Sequence, residues 1–119
     1  MKKDITRDYA VSSFRLWARL GFPSAEALKI SGEGDFALLA DVAACERCFR
    51  LLENEEGGLI CDAVREVYMR NPSRGLYKRE ITGRVIRFSA ERYISERQVY
   101  NYLSRARRLF SSLRGLRSE

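Results

Sequence analysis

From Ser95 onward the chain sets Glu96, Arg97, Tyr100 and Asn101 at the start of a helical pattern, with Arg105, Arg107 and Arg108 two to three turns later. These side chains can recognise nucleic acid. An Arg fork matches a guanine edge, an Asn amide matches adenine, and a Glu carboxylate accepts from cytosine. Tyr100 has two readings, packing or contact with a thymine methyl or a phosphate. The later arginines suit phosphate oxygens, which fix register without reading sequence. Lys78, Arg79 and Arg84, on the preceding helical stretch, carry the same chemistry. The expectation is base contact by Glu96, Arg97, Tyr100 and Asn101, and backbone contact by Lys78, Arg79, Arg84, Arg105, Arg107 and Arg108. The ligand would be double-stranded DNA.

Two helices must position these groups. The pattern predicts one over Lys78–Glu91, with Ile81, Val85 and Phe88 inward and Arg84 and Arg87 standing away. A short Tyr93-Ile94 connection leads to a second over Glu96–Leu113, with Val99, Leu103, Ala106 and Phe110 buried and Tyr102 and Leu109 flanking. Ser95 and Gln98 have the spacing of a capping box, in which the hydroxyl takes a backbone N–H and the Gln side chain reaches back. Two helices joined this way, the second capped and basic, have the form of a helix-turn-helix.

Upstream, the spacing predicts a helix over Asp4–Leu20, stopped at Gly21-Phe22-Pro23, with Val11, Phe14, Trp17 and Ala18 on one stripe. Trp17 and Phe14 read as core. A short helix capped by Ser24 follows, then a flexible break over Ser31–Gly34. A longer helix over Asp35–Glu53 carries the seam Leu38, Val42, Cys45, Phe49, Leu52. Asn54–Gly58 reads as a loop whose acids are solvated. A helix over Leu59–Arg70, with Ile60, Val64, Val67 and Tyr68 inward, stops at Asn71-Pro72. The expected fold is all-α, a small helical domain with a C-terminal helix-turn-helix.

Charge divides along the same line. Residues 70–119 hold thirteen Lys/Arg against four acids, a net +9, and residues 1–69 carry a net −3. Such a positive field favours a polyanion. The chain therefore divides into an acidic helical scaffold or docking part, 1–70, and a basic part, 71–119, packed as one unit.

The run Ser95-Glu96-Arg97-Gln98-Val99-Tyr100-Asn101-Tyr102-Leu103-Ser104-Arg105-Ala106 resembles the recognition helix of region 4 of sigma-70 family factors. Ser95, Val99, Leu103 and Arg105-Ala106 carry the likeness, and Glu80-Ile81 with Val85 resembles the family's preceding helix. The order of parts is also similar to ArpU-type phage transcriptional regulators. The resemblance covers Lys78–Phe110 and implies a sequence-specific transcriptional regulator from a phage or mobile-element setting. Ile81 and Val99 lie eighteen positions apart, where the compact motif would hold them about seven closer. The usual turn glycine is missing. The acidic half matches nothing in the promoter-opening sigma region, so a stand-alone regulator is the closer parallel.

Other chemistry is disfavoured. The chain has no histidine and three cysteines, so Cys45-Glu46-Arg47-Cys48 with Cys61 falls short of the four ligands of structural zinc. Buried thiols are expected, with no metal, no cofactor and no enzymatic activity. The absence of an export signal or a long apolar run leads to the expectation of a cytoplasmic protein without membrane contact. The alternative function is a protein–protein adaptor that docks on RNA polymerase or a sigma factor without reading DNA. RNA binding would call for sheet aromatics or a GXXG loop, and neither is evident. A homodimer through the Asp35–Glu53 helix is a further expectation.

Overall fold

The first helix, α1 (Tyr9–Arg19), begins where Asp8 accepts a hydrogen bond from the Val11 N–H at 3.2 Å. The structure, a computed structural model, describes residues 8–116, so the expected start at Asp4 lies outside the described residues. α1 ends in Gly21 and Phe22, both at positive φ, and the Trp17 indole donates to the Pro23 carbonyl at 2.9 Å. Next come α2 (Ala25–Ser31), capped by Ser24, and α3 (Phe36–Leu52), capped by Asp35. Their connection opens on a hydrogen-bonded close. Gly32 is left-handed, and Glu33 N–H closes on the Leu28 carbonyl at 3.0 Å, the six-to-one bond of a Schellman close.

A 3-10 turn over Glu55–Gly58 then reverses the chain through three successive positive-φ residues, Glu56, Gly57 and Gly58. Glycine makes that path cheap at two of the three. α4 (Leu59–Val67) stops three residues short of the expected Arg70. The reason is Arg15 of α1, which is only 1% exposed and donates to the Tyr68 carbonyl at 2.6 Å, to Asn71 O at 3.1 Å and to Arg74 O. Arg19 adds a bond to Pro72 O at 2.9 Å. Carbonyls that would continue the helix, or lie loose after it, are instead turned toward α1.

α5 (Lys78–Arg92) and α6 (Glu96–Arg114) complete the all-helical fold, with no β-strand among the described residues. α6 packs against α1, α3, α4 and α5, so one core crosses the charge boundary near residue 70. Its centre is aromatic. Phe14 meets Phe110 edge-on at 5.4 Å and Phe49 at 5.9 Å, and Trp17 meets Phe49 at 5.2 Å. The seam of α3 holds at Val42, Cys45, Phe49 and Leu52, all buried, with Leu38 half-buried at the rim. No helix is long and apolar enough to cross a membrane among the described residues.

Candidate nucleic-acid interface

α5 and α6 are joined by Tyr93, Ile94 and Ser95. The wide Ile81–Val99 spacing is explained by helix length, since α5 continues to Arg92. Tyr93 takes the left-handed conformation (φ 58°) that glycine would supply in a tighter turn, and its ring is 95% exposed. An L-residue there costs on the order of 1–2 kcal/mol. Local bonds offset it: Ile94 N–H donates to Ser89 O at 3.1 Å, and the Ser89 hydroxyl donates to the Ile94 carbonyl.

Ser95 caps α6 as expected, accepting from the Gln98 N–H at 3.0 Å. The second half of the box differs. Gln98 Oε1 accepts from Asn101 Nδ2 at 3.5 Å, because an Asn one turn on along the same face offers a donor. The buried stripe is Val99, Tyr102, Leu103, Ala106 and Phe110. Opposite it, Arg97, Asn101 and Arg108 stand on one exposed ridge at helical spacing. Glu96 and Tyr100 are exposed on the flank beside it.

The candidate backbone contacts fall into two groups. Lys78, Arg79 and Arg108 are exposed and have no acid partner among the described residues. Arg107 leans to the flank of α6, where it donates to the Tyr68 hydroxyl at 2.6 Å. With Lys78, Thr82 and Tyr100 it borders a cavity of about 300 Å³ between α1, the start of α5 and α6. Arg84 and Arg105 are placed otherwise. Arg84 does not stand away from the core face; it donates to the Val67 carbonyl at 2.8 Å and lies 3.6 Å from Glu80. Burial pulls its pKa below the usual guanidinium value. It serves the end of α4 beside Arg15, taking the Val67 carbonyl while Arg15 takes that of Tyr68. Arg105 leans to the opposite flank and makes a two-pronged pair with Glu55, at 2.9 and 3.3 Å. Glu55, expected to be merely solvated, is therefore an ion-pair partner.

Ion pairing sorts the basic half. Arg92–Asp62, Arg105–Glu55 and Arg114–Asp41 join it to the acidic half. Arg70, Arg74 and Arg84 pair with Glu66 and Glu80. The cations left over gather at the start of α5 and on the outward side of α6, with Arg87 farther along α5. None of these pairings was legible at long range. Arg15 was also missed, although its place four residues after Val11 puts it on the buried stripe.

Cys45 and Cys48 are both fully buried, and Cys48 Sγ lies 3.6 Å from the Ala106 carbonyl. Cys61 Sγ lies 3.6 Å from Phe49 O. Burial pushes the Cys48 thiol up to about 12 and raises Cys45 and Cys61 as well. Folded protein should therefore resist iodoacetamide at pH 8, with all three thiols labelling only in denaturant; labelling of Cys45 or Cys48 at the rate of a free thiol would contradict that packing. Raised thiols favour the folded state at neutral pH, and that contribution falls as pH climbs past the unfolded value of 9.0.

No protein-family model matches the chain, and no curated protein or solved structure matches it significantly. The likeness to sigma region 4 therefore rests on the residues of α5 and α6 alone.

Proposed function

We propose that the protein is a sequence-specific DNA-binding transcriptional regulator of the sigma region 4-like kind, in a phage or mobile-element setting. In this reading α5 braces across the DNA backbone and the first turns of α6 enter the major groove. Arg97 and Asn101 read base edges, with Glu96 and Tyr100 beside them. Lys78, Arg79, Arg107 and Arg108 hold phosphates. Arg84 and Arg105 serve the protein's own packing, since each would have to give up an acid partner, Glu80 or Glu55, to reach DNA.

The observation that carries this reading is where the cations of the basic half without an acid partner lie. Acids of the other half pair with Arg92, Arg105 and Arg114. The cations on the outward ridge of α6 and at the start of α5 are left exposed, beside side chains able to read bases. A merely solubilising surface has no reason to sort its charges so.

Selection from a random duplex DNA library at two salt concentrations tests it, with enrichment of one motif as the expected result. Arg97→Ala should then cost about 1–3 kcal/mol and relax preference at a single position. Arg108→Ala should weaken every sequence alike and reduce the salt slope by about one. Equal loss on all DNA for both variants would remove the assigned roles. Motif-free binding would leave only a polyanion patch and pass the question to the polymerase-adaptor reading.

A further inference from the structure

α2 and the outer side of α3 leave a groove of about 930 Å³ between them, lined by Ile30, Phe36, Leu39, Ala40 and Ala43. Phe36 is 85% exposed and Ile30 80%, a large apolar display for so small a chain. The buried positions of α3 face the core and α6, so the groove lies on the side turned away from α6.

We infer that this groove is the contact face of a two-fold homodimer. Two features select a second copy as the occupant. The first is shape. The patch contains both a knob and a hole, Phe36 projecting at one end and the small side chains of Ala40 and Ala43 forming the floor. A two-fold contact needs one surface that carries both halves of the fit. The second feature is charge. Glu26 and Lys29 border the groove on α2, and neither has an ion-pair partner among the described residues. Antiparallel juxtaposition of two α2 helices sets each Glu26 against the other copy's Lys29, twice. The α6 ridge stays open on both copies. The inference stands on these surfaces and does not depend on the nucleic-acid reading.

Sedimentation equilibrium of the full chain tests it directly. The expected result is a concentration-dependent monomer–dimer equilibrium above a monomer of 13.8 kDa. Phe36→Lys should weaken the dimer at least about tenfold, because an exposed aromatic anchor is lost from both sides. Its helical circular dichroism should not change, since Phe36 makes little core contact. The charges provide a sharper test. E26K alone and K29E alone should each dimerise more weakly than the parent, by like-charge repulsion at both pairs. Mixing the two variants should restore association, because every repulsive pair becomes attractive. A parent chain that stays monomeric to the order of 100 µM would overturn the inference, and so would a dimer indifferent to Phe36→Lys. Failure of the mixture to associate better than either variant would overturn the α2 pairing.

Discussion

Arg15→Ala lowers the unfolding free energy by about 3–5 kcal/mol, the scale for leaving a buried carbonyl without its donor and truncating a large buried side chain together. A chain of this length has roughly 6–18 kcal/mol in all, so the loss is a large share. The guanidinium holds the carbonyls of Tyr68, Asn71 and Arg74, and only the first bond is fully buried. The Tyr68 carbonyl thus bears most of the cost, because water can reach the other two. The aliphatic stem adds a packing loss, since Arg15 sits on the same stripe as Val11. Arg15→Met separates the two contributions. It refills volume and leaves the carbonyls without their donor, so it should recover about 1–2 kcal/mol of the deficit. Urea unfolding followed by circular dichroism measures both. A methionine variant as stable as the parent would show that the carbonyls do not depend on Arg15.

If the protein binds duplex DNA as proposed, that binding should fall steeply with salt. In the proposed complex four cations, Lys78, Arg79, Arg107 and Arg108, hold phosphates, while Arg97 reads bases. Neutralising about four phosphates gives a log–log slope near −3.6, or roughly a 150-fold loss between 50 and 200 mM salt. The comparison with Arg84 and Arg105 is the informative part. If both left their partners for phosphate, the slope would approach about −5.4 and the loss would be roughly 1,800-fold. Fluorescence anisotropy across a salt series distinguishes these cases. A slope shallower than about −2 would mean that the exposed ridge of α6 does not face the backbone at all. Glu55→Gln adds an internal control. It frees Arg105, and a steeper slope in that variant would show the acid restraining a latent contact.

The helices themselves were largely legible, for reasons visible residue by residue. α6 announces itself by a Ser95 cap and an unbroken stripe from Val99 to Phe110, and α3 by the seam from Val42 to Leu52. Both signals are local. The end of α4 was misread because its cause is α1, more than fifty residues away in sequence and seen only when Arg15 meets Tyr68 O. Charge misleads in the same direction. An Arg on an apolar stripe reads as an exposed exception, and Arg84 and Arg15 both bury most of theirs against backbone carbonyls. The break at Ser31–Gly34 looked loose because glycine signals permission to turn without saying whether hydrogen bonds then close the turn. For the interface, side-chain types and spacing named the candidates. Which cations remain unpaired depended on acids such as Glu55 and Asp62, whose partners no short window contains.

The aromatic knot of Phe14, Phe49 and Phe110 has a consequence for how such a chain can evolve. Its three rings come from three helices on both sides of the charge boundary. The basic half is therefore not a cassette. Cut out at residue 71, it would carry Phe110 with nothing to cover it, and a gene fusion that grafted it elsewhere would have to import α1 and α3 as well. Recombination can move this protein whole, while its two halves must change in step.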